Sequence, residues 1–448
     1  MAYNRKQRLN DNIKAIETAF ILDREQRTPT ARERLLLERY CGFGGLKCIL
    51  NPARELADAV HWAKSDLELF APTVELHRLI RENSKNESEY KQLMDSLKQS
   101  VLTAFYTPSA VTEALTDVLK EHQIIPEKVL EPSAGIGAFV DSVLDNNPKA
   151  DIMAFEKDLL TGKILRHLHP EQKVRIEGFE KIEKPFNDYF DLAISNIPFG
   201  DVAVFDPSYT AMKGMRALVT RRIHNYFFVK ALDTVRDGGL VAFITSQGVL
   251  NAKNNSAARF MMLYHADLVS AIRLPNNLFT ENANTEVGSD LIILQKNTQK
   301  ESLRGDDNLL DTVYNDENRI PTNNYFLEHP ERIIHTTAKL DTDPFGKPAM
   351  IYTHEDGVEG IAEDLRKMLH EDFKRNLNLN RYLGIEETKA EEVKEVEETE
   401  KIEKTEKIKP SIEEKQNDTV VSLQKQEKPT DDAELSQKSN HQQPPVQM

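Results

Sequence analysis

Between Val101 and Lys296, short apolar runs rich in Val, Ile, Leu and Phe alternate with stretches whose apolar residues recur every three or four positions. The runs are KVLEP, DIMAFEKD, VRIEGF, YFDLAISN, GGLVAFITS, DLVSAIRL and DLIILQK. They lack the polar alternation of a half-exposed strand. Such runs suit strands covered on both faces, and helical stretches between them imply a mostly parallel sheet. The last two runs have no long helix between them and read as a hairpin added at one edge. The expected fold class is α/β: a three-layer domain over 101–297 around a mostly parallel seven-stranded sheet.

Before this region, residues 1–100 read as helices. NDNIKAIETAFILD spaces Ile13, Ile16, Ala19 and Phe20 on one face, and Thr30 is placed to cap ARERLLLERY before Gly42 stops it. CGFGGL follows as a tight loop, and ELHRLIRENSKNESEYKQLMDSLKQS returns to helical spacing. The expectation is an N-terminal helical subdomain or lid. Residues 298–383 are polar with scattered aromatics and no strong period, and read as an extension of mixed structure. From Gly384 to Met448 the chain is charged and nearly free of aromatics; it cannot bury enough apolar surface to offset its ordering entropy, so a disordered tail is expected.

Composition narrows the class. With 39% hydrophobic residues among 448 and nothing approaching the roughly 18 apolar residues of a membrane span, a soluble protein is expected. MAYNRKQRLND is not followed by an apolar leader core, and Cys41 and Cys48 are the only cysteines. A reducing bacterial cytoplasm fits; a disulfide framework or a cysteine zinc site does not. The net charge of −15 argues against a polyanionic partner, but 17 acidic and 10 basic side chains fall in the tail. A nucleic-acid surface on the remaining body has to be a local patch. KGMRALVTRRIHNYF, with Lys213, Arg216, Arg221, Arg222 and His224, is the strongest local basic segment, a candidate for DNA phosphates.

The chemistry begins at EPSAGIGAFVDSVL, where a strand gives way to a helix through Gly135 and Gly137. Glycine there permits positive φ and close approach of a ligand, though a GxG also suits a plain turn. Its surroundings add more. Glu131 precedes the loop, where a carboxylate would repel phosphate but attract an ammonium group, and the GK[ST] ending of a phosphate-cradling loop is missing. Glu156 ends the second strand about 20 residues on, where an acid can hold ribose hydroxyls. Phe179 and Glu180 close the third, offering a ring and a carboxylate to an adenine. A nucleoside with a positively charged, amino-acid-like arm fits this set, and S-adenosylmethionine is such a molecule. No cluster of His, Cys or carboxylates has metal-ligand spacing, and methyl transfer from a sulfonium needs no metal.

FYTP (105–108), EPSAGIGAF (131–139) and SNIPFG (195–200), in that order, resemble the motifs of amino-group DNA methyltransferases, particularly the N6-adenine type. YCGFGGL (40–46) is similar to a segment ahead of the methylase domain in large methylase-helicase proteins of phages and conjugative elements. No helicase motif follows, so a short, methylase-only relative is expected. The resemblance implies a Rossmann-like, S-adenosylmethionine-dependent fold with cofactor contacts from Phe105, Tyr106, Thr107, Glu131, Ala134, Gly135, Gly137, Glu156, Lys157, Phe179 and Glu180. Thr107 resembles the residue that meets the cofactor carboxylate.

The family's (N/D/S)PP(Y/F) motif aligns with Asn196, Ile197, Pro198 and Phe199, the implied catalytic turn. An adenine amine is a poor nucleophile because its lone pair is delocalised into the ring. The Asn196 side-chain oxygen and a backbone carbonyl can accept its two hydrogens and favour the pyramidal nitrogen that attacks. Phe199 offers a stacking face for a flipped base. Ile197 replaces the usual proline, which implies a looser turn. The same motifs also serve methylation of RNA or of a protein glutamine amide. A non-catalytic mobile-element or antirestriction protein is a further reading. No target-recognition domain of familiar length follows Lys296, so a separate specificity partner is among the expectations.

Overall fold

The computed structural model describes residues 4–385 apart from 104–105, 213, 281–285, 304–306, 315–318 and 344–345. Phe105, Lys213 and most of the charged tail therefore lie outside the described residues. The seven apolar runs form one sheet: β1 (Lys128–Glu131), β2 (Asp151–Phe155), β3 (Lys173–Arg175), β4 (Phe190–Asn196), β5 (Val235–Ser246), β6 (Ala266–Leu274) and β7 (Ser289–Lys296). Their spatial order is β3-β2-β1-β4-β5-β7-β6. The first five run parallel, and β7 lies antiparallel between β5 and β6. The hairpin read from the last two runs is thus the end of the sheet, with its second strand inserted inward.

Apolar runs without alternation are explained by the two cores they serve. Leu192, Ile194, Leu240, Ala242, Leu291 and Ile293 face one cluster; Ala193, Val241, Phe243, Ile292 and Leu294, their neighbours in sequence, face the other. Successive side chains of a strand point to opposite faces, so a strand sandwiched between helical layers is apolar at every position. One layer is made by helices Ser109–Glu121, Ala138–Asn146 and Gly357–Asn376; the other includes Ile223–Thr234 and Ser256–His265.

The absence of period expected over 298–383 needs correction. Residues Gly357–Asn376 form a 20-residue helix whose Ile361, Leu365, Leu369 and Phe373 are buried against the sheet domain. A strict four-residue spacing was there to read; each such side chain contributes about 1.5–3 kcal/mol by leaving water. The rest of this stretch holds two small antiparallel pairs, Thr312–Tyr314 with Pro321–Asn323 and Thr337–Thr342 with Pro348–Thr353.

At the N-terminus, Asn4 caps a helix over Arg5–Glu25, and Thr30 makes a reciprocal capping box with Glu33. That second helix ends at Leu37, short of Gly42. The long helical stretch divides at Asn83 into Phe70–Glu82 and Glu87–Thr103. These elements share a third hydrophobic cluster with Leu160, Ile164 and Leu168 of the helix Leu159–Leu168, so they dock on the sheet domain through a common core. Among the described residues no helix is long and apolar enough to cross a membrane.

Candidate active site

Because β1 and β4 are adjacent and parallel, the loops leaving their carboxyl ends share one edge of the sheet. The Ser195 hydroxyl donates to the Ser133 carbonyl at 3.2 Å, tying the start of the Asn196–Phe199 turn to the glycine loop. The Ala134 amide donates to the Phe155 carbonyl (2.8 Å), which fastens the same loop to β2.

Gly135 (φ +56°) and Gly137 (φ +93°) both occupy the left-handed region. A Cβ on Gly135 would lie 2.8 Å from the Tyr106 ring, and one on Gly137 would lie 2.6 Å from His169 Nε2. The first glycine lets the FYTP segment close on the loop; the second admits a neighbouring helix end. Gly135→Ala is therefore expected to cost about 1–3 kcal/mol through strain and collision, and to weaken cofactor binding. Thermal melting and calorimetric titration of the full chain check both effects.

Glu131 is 2% exposed, and its Oε2 has no hydrogen-bond partner among the described residues. Burial, then the nearby Glu156 and Asp141 carboxylates, hold its pKa well above the ordinary range. Thr107, 6% exposed, likewise has an unpartnered buried hydroxyl. A buried carboxylate oxygen and a buried hydroxyl without partners are costly unless something else satisfies them. Glu156 is half-buried and engaged on both oxygens: Oε2 accepts from the Gly135 amide (2.8 Å) and Oε1 from the Asp158 amide (2.7 Å). Each carboxylate oxygen has a further lone pair, so accepting from ribose hydroxyls stays compatible with that bracing. Desolvation, then Asp158, pushes the Glu156 carboxyl up to about 8.

Asn196 ends β4 half-buried, paired with Ile244 of β5. Ile197 explains its own departure from proline. Its side chain is 1% exposed, and its amide donates to the Ile244 carbonyl at 3.0 Å, a bond proline cannot make. The turn is pinned rather than loosened. Pro198 and Phe199 follow, both half-buried, with Phe199 set edge-on to Phe279 at 6.3 Å between centroids. Phe279, fully buried beyond β6, backs the implied stacking ring; nothing in the sequence marked it.

Other expectations change. Phe179 is 1% exposed and packs on Phe155, Tyr226 and Phe227, so it serves the core and presents no face to an adenine. Glu180 is half-buried, its carboxylate folded over Gly178, and Lys157 is exposed. In the basic segment, Arg216 is consumed by a bidentate pair with Asp233 (2.6 and 2.9 Å) and is not available to phosphate. Arg222 meets Asp201 (3.3 Å) and Asn255 (3.2 Å). His224 is buried, and burial followed by Arg222 lowers it to about 4, so it carries no charge near neutrality. Arg221 is exposed.

A parallel sheet closed by one inserted antiparallel strand, with a glycine loop and an Asn-Ile-Pro-Phe turn on neighbouring strand ends, defines a Rossmann-like methyltransferase. The chain belongs to the N-6 DNA methylase family, which it matches over residues 88–391. It is 29% identical over 201 residues to the "Defense against restriction protein B" of Escherichia phage P1, a match covering 44% of this chain and 8% of that protein. It is 25% identical over 173 residues to the type II methyltransferase M.XamI of Xanthomonas campestris pv. amaranthicola, covering 36% and 33%. The similarity thus spans a third or less of either relative. Among solved structures, the type I restriction-modification system methyltransferase subunit from Streptococcus thermophilus is similar over 66% of this chain and 80% of its own, at 13% identity and a TM-score of 0.37. The family's cofactor is S-adenosylmethionine, and the residues fit it: Glu131 and Thr107 have an unpartnered buried oxygen each, which would meet the ammonium and carboxylate of its amino-acid arm.

Proposed function

We propose that this chain transfers a methyl group from S-adenosylmethionine to the exocyclic N6 amine of adenine in DNA, acting on a base flipped from the duplex. The observation that carries this reading is the tie between the glycine loop and the Asn196–Phe199 turn through Ser195 and Ser133, on adjacent parallel strands. When bound, the cofactor supplies an electrophilic methyl group on a sulfonium. Asn196, through its amide oxygen, and the Ile197 carbonyl accept hydrogen bonds from the two N–H groups of the target amine. This draws its lone pair out of conjugation. Phe199, braced by Phe279, stacks on the base and limits its rotation. Glu131 holds the ammonium group, and the glycine loop lets the cofactor approach bare backbone.

Arg221 is the described arginine of the basic segment best placed for phosphate, because its neighbours are engaged internally. Of the described residues after Lys296, the longest element, helix Gly357–Asn376, is spent on covering the sheet, which supports sequence specificity supplied by a separate chain.

Incubating the full chain with methyl-tritiated cofactor and duplex DNA, RNA or cell protein tests the reading. Label recovered as N6-methyladenine from DNA supports it; label only in RNA or in glutamine moves the assignment to those substrates. Cofactor binding with no transfer would favour a non-catalytic role, a second reading suggested by the name of the phage relative. Phe199→Ala is expected to lower kcat/KM by about 5- to 150-fold, the 1–3 kcal/mol of one base–aromatic stack, while Phe199→Tyr retains most activity. Steady-state kinetics on a DNA duplex checks this.

A further inference from the structure

The N-terminal helices are joined to the glycine loop by an unbroken set of hydrogen bonds that the methylation chemistry does not itself require. Asp158 caps the helix Leu159–Leu168, with Oδ1 accepting from the Thr161 amide at 2.7 Å. Its other oxygen accepts from the hydroxyl of Ser96, on helix Glu87–Thr103, at 2.6 Å, and the same hydroxyl accepts from the Leu160 amide at 3.0 Å. Ser96, 5% exposed, thus completes the cap from outside the sheet domain. The Asp158 amide in turn donates to Glu156, whose second oxygen holds the Gly135 amide. On the other side Tyr40, which opens the YCGFGGL segment and is 1% exposed, meets the Thr161 hydroxyl at 3.2 Å; Tyr106, packed against Gly135, approaches the same hydroxyl at 3.4 Å. Ile136, between the two loop glycines, packs directly on the N-terminal core.

We propose that Ser96 and Tyr40 are positioning residues for the cofactor site, and that the N-terminal helical region sets the geometry of Glu156 and the glycine loop. The inference rests on the reading of that loop as the S-adenosylmethionine site. Ser96 acts through Asp158 and Glu156, and Tyr40 acts through Thr161 and Tyr106. Neither touches the base side of the site, so their effect falls on the cofactor and not on DNA.

The test uses the full chain with Ser96→Ala, Tyr40→Phe and Ser96→Thr, titrated with S-adenosylmethionine by calorimetry and assayed at varied cofactor and DNA. Expected is a Kd and KM for the cofactor about tenfold weaker in Ser96→Ala, the size of one lost hydrogen bond to a charged group. Tyr40→Phe should show a smaller shift in the same direction. The kcat at saturating cofactor and the KM for DNA should stay within about twofold, since uniform binding alone is lost. Ser96→Thr, which keeps the hydroxyl, should restore binding. Unchanged cofactor affinity in Ser96→Ala and Tyr40→Phe overturns the proposal while leaving the cofactor site intact. A fall in kcat at unchanged KM, the mark of a smaller folded fraction, overturns it as well. Failure of the wild-type chain to bind S-adenosylmethionine refutes the underlying cofactor reading and this inference with it.

Discussion

Asn196→Ala is expected to lower kcat by about 10²–10³, the loss seen when one preorganised hydrogen-bonding group is removed from a reacting centre. Cofactor Kd should remain within about twofold, because the glycine loop, Glu131 and Thr107 are untouched. The argument is local. Asn196 is the last residue of β4, held by pairing to Ile244, and the next amide is fixed on that same residue. Alanine keeps this backbone but removes the side-chain oxygen that would accept from the amine. With Ile197 still offering its carbonyl, one of two acceptors survives, so residual transfer is expected. Single-turnover transfer of labelled methyl to duplex DNA, beside calorimetry with the cofactor, separates the two effects. Transfer at the wild-type rate would remove Asn196 from the chemistry.

Glu131→Gln is expected to move binding and stability in opposite directions. Without ligand, Glu131 and Glu156 are two desolvated acids near each other, each raised above the ordinary value of 4.5. Glu156 reaches about 8, so between those pH values the folded protein holds a proton that the unfolded chain has lost. Its contribution is fully present below 4.5 and is lost as pH rises through 8. The melting temperature of the ligand-free protein should therefore fall across this window. Glu131→Gln replaces a buried acid whose ionisation is opposed by burial and by Glu156 with a neutral side chain, which should raise the midpoint at pH 8 by a few degrees, each ~1 kcal/mol being about 2–4 °C in a domain of this scale. The same change takes away the carboxylate proposed to face the cofactor ammonium. Cofactor affinity should drop by about 30-fold or more, as when one member of a buried charge pair is lost. Melting curves at several pH values and calorimetry at pH 8 measure the pair of effects; a variant that binds as tightly as wild type would place the ammonium elsewhere.

The order of elements was legible because it depends on local rules. Strands sandwiched between layers must be apolar on both faces, and seven apolar runs mark the seven strands of the main sheet, with Lys173–Arg175 at its edge the least buried. Gly135 and Gly137 announce a backbone of positive φ; Thr30 announces a capped helix; Ile361, Leu365 and Leu369 announce a helix face by their four-residue spacing, despite the polar stretch around them. Asn196 and Phe199 stand out in the sequence for another reason: an amide and a ring retained where any turn residue would suffice, which is the basis of the proposed chemistry.

What the sequence could not disclose is which side chains spend their capacity on one another. Arg216 looked free for phosphate until Asp233, 17 residues later, came beside it. Phe179 looked like a ring for adenine until Phe155, Tyr226 and Phe227 closed around it. Ile197 looked like a weakened proline until the Ile244 carbonyl appeared opposite its amide. The motifs and the succession of elements along the chain, then, were determined by the sequence alone, since propensity, period and turn chemistry act over a few residues. Tertiary structure alone decided the strand order, the use of each polar group and the docking of Ser96 and Tyr40 on the start of the helix Leu159–Leu168, because hydrogen bonds and burial are settled between segments that only folding brings together.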